Sequence, residues 1–503
     1  MSNFQSLYVG RNSLRAHRTA LDVISHNMAN AAVPGYSRQL AYYDDAQANS
    51  TPQGFLGNGA QIASVGQNAQ VILERRLDQD TSSFHEARAR YEFLTQVEVV
   101  YTDSSFGVGP GITSFFNGWR ELSTNPASMV AREEVIARGE DIADRFNRAS
   151  ERLDFLRRDM NGDLAATADL VTRLAENIAT LNREIHDAEA GSAVANDMRD
   201  ARQKMVREIS AAIRVQTFTD DEGYVHVVMD QGQSLVSGRR SGSLFAEAPP
   251  ADPNNPRDSG LFRIIFRDAD QTAQTPLPKG ADVTDQISGG ELGGLIEARD
   301  NIVGAAFERL DTMVEEFVEK INLFHSQRPD PNNPGPPQGV ITAFDRDGNQ
   351  GGDFFVFADA NGSPAQQIRV NPTVIENAAL VAAAIDANAA PGDNRNALAI
   401  AELEFKGIIN GDAVDDFIGG TSTHDSWANE IRSLGDAASR ARRDLQRTET
   451  RRDQTQQVRE SISGVNMDEE LADLVRVQRA FEAAAKVVKT ADETLQTILS
   501  LKS

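Results

Sequence analysis

The stretch Asp22–Leu40, DVISHNMANAAVPGYSRQL, decides how this chain is organised. It closes a segment in which Leu7, Leu14, Leu21 and Met28 recur every seven residues, with Ile24 beside Leu21 and small or polar residues between. That spacing predicts a helix with one narrow apolar seam, made to lie lengthwise on another helix. Val33-Pro34-Gly35 ends it, because proline moves its predecessor away from helical dihedrals and Pro-Gly suits the centre of a type II turn. Extended segments are predicted next, around Leu40–Tyr43 and Ile62–Val65.

A matching seam lies at the other end of the sequence. Asn466 stands at a cap position with Glu469 three residues on, and Asp468 and Glu470 suit the positive end of a helix. The seam predicted there runs Leu471, Leu474, Gln478, Phe481, Ala485 and Val488, then drifts past Asp492 to Leu495 and Ile498. So few large apolar groups do not offset the entropy of ordering a lone helix. Both ends are therefore expected to be mobile in a free monomer and ordered by packing among copies. The expected assembly interface is Leu7, Leu14, Leu21, Ile24 and Met28 with Leu471, Leu474, Phe481, Val488, Leu495 and Ile498.

Between the ends the pattern alternates. Leu73, Leu77, Phe84, Ala87, Tyr91 and Leu94 form a second seam once polar Asp80 takes a seam position. Asn125-Pro126 reads as a cap followed by proline at the first helical position, opening a helical region to about Val215. Within it, Leu164, Thr167, Val171, Leu174, Ile178, Leu181 and Ile185 keep a heptad, as do Val303, Phe307, Leu310, Val314, Phe317, Ile321 and Phe324 further on. VQTF and YVHVV flank Asp220-Asp221-Glu222-Gly223 as a hairpin would, LFRIIF offers another strand, and Asn361-Gly362 sits where a tight hairpin turn is expected. RPDPNNPGPPQG reads as a linker or long loop, and helix resumes from about Trp427 with a break near Ser463-Gly464.

The fold class expected is multidomain α+β: a coiled-coil-like core of paired terminal helices, a helical bundle domain and inserted β-rich outer domains. The boundaries are 1–65 with 465–503 for the core, 66–214 with 290–326 and 397–464 for the bundle, and 215–289 with 327–396 for the insertions.

Composition removes whole classes of function. The 503 residues carry a formal charge of −24, which opposes nucleic acid and anionic bilayers; Arg11, Arg15 and Arg18 make the clearest basic patch. The absence of cysteine rules out disulfides, thiolate zinc sites and thiol nucleophiles. No run approaches a membrane helix, and no cleaved secretory signal is visible, so if the protein leaves the cell another route is expected. The seven histidines form no His-x-x-x-His pair. DRDGNQGGDFFV starts like a calcium loop at Asp345, Asp347 and Asn349, but Gln350 and Val356 stand where glycine and glutamate belong, so a polar turn is expected. No phosphate loop, dinucleotide fingerprint or nucleophile elbow occurs. Neither a metal nor a cofactor is expected, and the chain reads as structural rather than enzymatic.

SLYVGRNSLRAHRTALDVISHNMANAAVPGYSRQ resembles the N-terminal signature of bacterial flagellar axial proteins, the family of rod, hook and junction components, and SGVNMDEELADLVRVQRAFEAAAKVVKTADETLQTIL resembles their C-terminal helix. The motif positions are Asn27, Asn30, Gly35, Tyr36, Ser37, Arg38 and Gln39. FFNGWRELSTNPASMVAREEVIARGEDIADRFN, LNREI and GGELGGLIEARD are similar to the hook–filament junction members. The resemblance implies an extracellular flagellar adaptor exported by the flagellar type III route. It also implies as partners the hook protein, the second junction protein, like copies and an export chaperone, with no nucleic acid and no membrane insertion. Alternatives are a divergent hook-type axial protein and a secreted enzyme domain on an axial scaffold.

Overall fold

A computed structural model describes residues 2–47, 49–51, 54–102, 107–191, 194–249, 260–268, 280–330, 339–359, 362–405 and 422–500. The chain opens with α1 (Ser2–Asn30), followed by β1 (Gln39–Asp45), β2 (Asn49–Thr51), β3 (Gly54–Leu56) and β4 (Ala60–Gln67). β1 pairs antiparallel with β4, and β2 with β3. The long helices α2 (Val71–Thr102), α3 (Val108–Thr124), α4 (Met129–Glu189) and α5 (Asn196–Ala212) then build the body.

Strands β5 (Val215–Thr219), β6 (Val225–Met229), β7 (Ser234–Ser237) and β8 (Arg240–Ser241) form an antiparallel sheet in chain order. β9 (Ser243–Glu247), β10 (Arg263–Arg267) and β11 (Ala281–Asp282) form a second, with β10 central. The chain returns through α6 (Gly290–Glu297), a wider π-helical turn over Ala298–Val303 and α7 (Gly304–His325). Short strands and helices follow: β12 (Gln327–Pro329) pairs with β13 (Val340–Thr342), and β14 (Phe355–Phe357) with β15 (Ile368–Val370) across α8 (Pro364–Gln367). After α9 (Pro372–Glu376) and α10 (Arg395–Glu402), α11 (Thr423–Ser463) runs back along α2, and α12 (Met467–Ser500) lies on α1.

Two hydrophobic clusters result among the described residues. The large one joins Trp119, Phe146, Val171 and Phe317 of the helices to Val227, Leu244 and Ile264 of the inserted strands, so bundle and sheets share one core. The small one contains, among the described residues, Ala20, Ile24 and Val477, with Leu21, Met28, Ala41 and Leu474 against it. The terminal helices thus form a separate, thinly packed unit.

Some local expectations change. The cap of α4 is Ser128, whose hydroxyl accepts from Ala131 N–H, while Asn125 ends α3; Pro126 lies in the turn between them. One carbonyl-bonded turn from Asn125 to Ser128 delays the helix past the proline. β14 and β15 do pair, but α8 occupies their connection, so it is no tight hairpin; Asn361 itself lies outside the described residues. The helix containing Val303–Phe324 is interrupted at its start by the π turn, which carries Arg299. That buried guanidinium donates to Phe262 O at 2.6 Å, tying the turn to the second sheet.

His325 ends α7 fully buried, its Nδ1 at 2.6 Å from Gly352 O and its Nε2 accepting Ala382 N–H at 2.9 Å. Both contacts suit the neutral ring with its proton on Nδ1. Burial pulls its pKa down to about 4. A histidine lowered in the folded state confers stability that is present above its ordinary value and lost as pH falls towards 4. Urea unfolding of the full chain should therefore show a loss of up to about 3 kcal/mol between pH 6.5 and 4 from this group. His325→Gln should flatten that limb while lowering stability at pH 7.5; an unchanged acid limb would refute the assignment.

Candidate assembly interface

α1 and α12 pair antiparallel. A Cβ on Gly10 would lie 2.5 Å from Val488 Cγ2, so glycine there admits the branched side chain against the helix backbone. At the other end Asn27 meets Glu470. Of the expected interface on α1, Ile24 is buried and Leu7, Leu14, Leu21 and Met28 are half-buried. On α12, Leu474, Phe481, Val488 and Leu495 are half-buried, and the side chain of Ile498 lies outside the described residues. The alternate row differs by one residue from the expected one. Glu470, Val477, Ala484 and Ala491 are buried, whereas Leu471 is 45% exposed and Gln478 faces solvent. The seam selects the smaller side chains, together with a carboxylate that Asn27 and Arg38 satisfy.

Below this pair lies a polar joint. Val33–Tyr36 is a β-turn closed by Tyr36 N–H to Val33 O at 3.2 Å, with Gly35 at φ +86°, the left-handed region that glycine enters freely. The chain emerges beside the end of α1, where the Asn27 amide fills its bonding capacity. Nδ2 donates to Gln39 O at 2.9 Å and Glu470 Oε2 at 3.3 Å, while Oδ1 accepts from Tyr36 Oη and Gln39 N at 2.9 Å each. Since the Tyr36 hydroxyl proton goes to Asn27, the His26 Nδ1–H donates to Tyr36 Oη at 2.9 Å, leaving Nε2 to accept from Asn30 Nδ2 at 3.2 Å. Burial, then Asp197, Asp200 and Glu470, raise the Tyr36 pKa, keeping its hydroxyl a donor.

Every motif residue from Asn27 to Gln39 named above is part of this network. Arg38 forks onto α12, with Nε at 2.6 Å from Glu470 Oε1 and Nη1 at 3.1 Å from Glu469, and its N–H donates to Ser463 O at 2.8 Å. From α5, Asp200 accepts Ser37 N–H at 3.0 Å and Asp197 accepts Gln39 Nε2 at 2.9 Å. The residue that locks the joint to the body is one that sequence reasoning did not single out. Arg459, near the end of α11 and 3% exposed, donates to Gly35 O at 2.7 Å, Tyr36 O at 3.1 Å, Ser37 Oγ at 3.0 Å and Glu74 Oε1 at 3.0 Å. It sits in an arginine-rich stretch whose charges look uniformly solvated, so nothing in the local pattern separates it from its neighbours.

Behind the joint is a cavity of about 210 Å³ lined by Ser37, Gln67, Asp78, Asp200 and Gln203. Asp78 Oδ1 and Arg207 Nε face each other at 3.6 Å without hydrogen bonds, and Arg207 is also engaged by Glu74. Burial pushes the Asp78 carboxyl up to about 7, against the pull of Arg207 and with Glu74 adding to it.

Asp345 is buried and accepts from Asp347 N, Asn349 N and Asn349 Nδ2 at 2.8–3.2 Å, closing the polar turn in its own carboxylate. Among the described residues no group of three or more His, Asp or Glu is arranged to hold a metal, and no helix is long and apolar enough to cross a membrane.

Three family descriptions match. "Flagella basal body rod protein" covers residues 7–36 and "Flagellar basal body rod FlgEFG protein C-terminal" covers 456–501, which are the two ends that meet at the joint. "Flagellar hook-associated protein FlgK helical domain" covers residues 94–355, more than half of the chain. The chain belongs to the flagellar hook-associated protein 1 family. It is 27% identical to "Flagellar hook-associated protein 1" of Bacillus subtilis (strain 168), over 99% of this chain and 98% of that one. To the protein so named in Escherichia coli (strain K12) it is 25% identical, over 97% and 98%. The flagellar hook junction protein FlgK from Burkholderia pseudomallei shares the fold, with a TM-score of 0.64 at 16% identity over 77% of this chain and all of that one. The ends mark an axial protein and the middle marks the hook-associated branch. Members of this family are structural parts of the flagellum, and so is this chain.

Removing the Arg459 guanidinium leaves Glu74 with Arg207 as its remaining cation and frees two buried backbone carbonyls, a loss of about 1–3 kcal/mol for buried groups left unsatisfied. Arg459→Met should speed hydrogen exchange in residues 33–39 and 467–477 while amides around Trp119 keep their protection; equal protection in both regions would refute the lock. For Asp78 the folded pKa is raised, so the proton stabilises the fold below the ordinary carboxylate value and that advantage fades as pH climbs to 7. Asp78→Asn should therefore gain stability relative to the parent between pH 5 and pH 8, read by chemical denaturation at both; a constant difference would refute the shift.

Proposed function

We propose that this chain is an exported adaptor that joins the flagellar hook to the filament, polymerising through α1 and α12 while its outer domains adapt one lattice to the other. The observation that carries this is the asymmetry of the two cores: a large continuous one in the body and a thin one at the terminal pair. A body so packed needs no partner, whereas a pair whose apolar contact is a few small side chains gains most from neighbours. Tyr8, Leu471, Val475 and Val487 remain exposed on that pair, in keeping with further packing partners. The assembly interface is Leu7, Leu14, Leu21, Ile24 and Met28 with the α12 residues named above, and the partners are the hook protein, the second junction protein, like copies and an export chaperone. The three-part domain division belongs to this reading, with the joint at Gly35–Gln39 turning the chain out of the axial core.

Deleting residues 471–503 should leave a body with native-like near-ultraviolet dichroism that no longer docks on isolated hooks in electron micrographs. Normal docking by the truncated chain, or gold labelling of the full chain away from the hook tip on intact cells, would overturn the proposal.

A further inference from the structure

The outward face of α1 is basic over its first half, with three arginines to one aspartate along its length. Tyr8, Arg11, Arg15, Arg18, Asp22, Ser25 and Ala29 form a row exposed along the whole helix, opposite the residues that touch the strands and α12. Arg11 lies 4.9 Å from the centre of the Tyr8 ring, and among the described residues no carboxylate comes within ion-pair distance of Arg11, Arg15 or Arg18. Elsewhere on the chain exposed arginines find acids readily, as Arg88 does with Glu92 and Arg148 with Asp144. In a chain of net charge −24, these three guanidiniums stand aligned over two turns of one helix, as unpaired among the described residues as Arg440, Arg442 and Arg443 of α11 but on the terminal unit.

The same terminal unit carries a complement. At the end of β1, Asp44 and Asp45 are exposed and, among the described residues, have no cation within ion-pair distance; Asp44 Oδ1 accepts the Asp45 N–H at 2.8 Å. No ion pair joins these aspartates to the arginine row within one chain, although α1 lies on β1 and β4 and bonds to the turn before β4 through Asn12 Nδ2 to Asn58 O at 3.0 Å. Opposite charges left unpaired on two different patches of one unit are satisfied when copies meet head to tail, a contact that generates rings or helical arrays rather than a closed dimer. We infer that the Arg11–Arg15–Arg18 row of α1 docks on the Asp44–Asp45 strand end of a second copy. The inference rests on the proposed polymerisation and names one of its contacts.

The absence of cysteine gives a direct test, since Arg15→Cys and Asp45→Cys each introduce a single thiol. Mixed at low ionic strength and oxidised, the two variants should yield a mixed disulfide dimer. Each alone should give little product, and a chain with both should give a ladder. Salt at about 0.5 M should suppress the yield by screening. In sedimentation, replacing all three arginines by glutamate, or both aspartates by lysine, should weaken self-association about tenfold, the scale of a few exposed ion pairs. Mixing the two charge variants should restore it. No mixed disulfide at any protein concentration, an Arg15→Cys homodimer exceeding the mixed product, or binding of the arginine row to phosphatidylserine vesicles in place of a second copy would each overturn the contact. If the charge variants associate normally but deletion of 471–503 abolishes association, this contact falls and the polymerisation reading stands. If the deletion also has no effect, both fall.

Discussion

The structure depends on one buried cation. Arg459 takes the carbonyls of Gly35 and Tyr36, the Ser37 hydroxyl and the Glu74 carboxylate at once. A guanidinium withdrawn from water is costly unless each hydrogen-bond site is met, and its planar fork meets partners in fixed directions. An apolar contact at the same place would hold the terminal unit down but let it slide, because burial has no direction. The polar joint sets an angle. Through Arg38 the same network reaches the first turn of α12, so the exit from α1 and the entry into α12 are registered against one another and against the body.

How much of this was legible follows from how local each determinant is. The type II turn at Pro34-Gly35, the cap at Asn466 and the seam that admits Asp80 are written within a few residues of where they act. Asp80 is buried as that seam required, bonded to Thr455 at 2.8 Å. The register of α12 was only half legible. Leu474, Phe481 and Val488 stand out by size, but the companion row holds Glu470, Ala484 and Ala491, which no apolar pattern favours over Leu471. The choice is made by α1, where Gly10 and Asn27 leave room for Val488 and offer bonds to Glu470. A seam read from one helix alone finds its bulk and misses the shape of its partner.

The charges of the joint were illegible for a related reason. Arg459, Glu74, Asp200 and Glu470 come from α11, α2, α5 and α12, and each sits among other charged residues that do face water. Chemistry that needs four distant segments leaves no period and no spacing. What could be read was the strand side of the joint, because GYSRQ is compact enough to resemble a family motif; the structure supplies the reason for each of its polar positions, as main-chain and side-chain partners of Asp200, Asp197, Asn27 and Arg38's acids.

The division of stability between the two units has a functional consequence. The body holds its fold with an extended core that includes a cluster of aromatic rings around Phe115 and Phe317, whereas the terminal pair relies on a few apolar contacts and on hydrogen bonds at one end. Local opening is therefore expected to begin at the end of the pair farthest from the joint, beyond Gly10 and Val488 towards Ser2 and Ser500, and to stop where the bonds to Arg459 and Arg38 begin. Anything that binds the ordered pair stabilises that segment by mass action and leaves the body unchanged. A subunit arranged in this way keeps a finished body through assembly and places the energy of joining its neighbours in the one segment that lacks a sufficient core of its own.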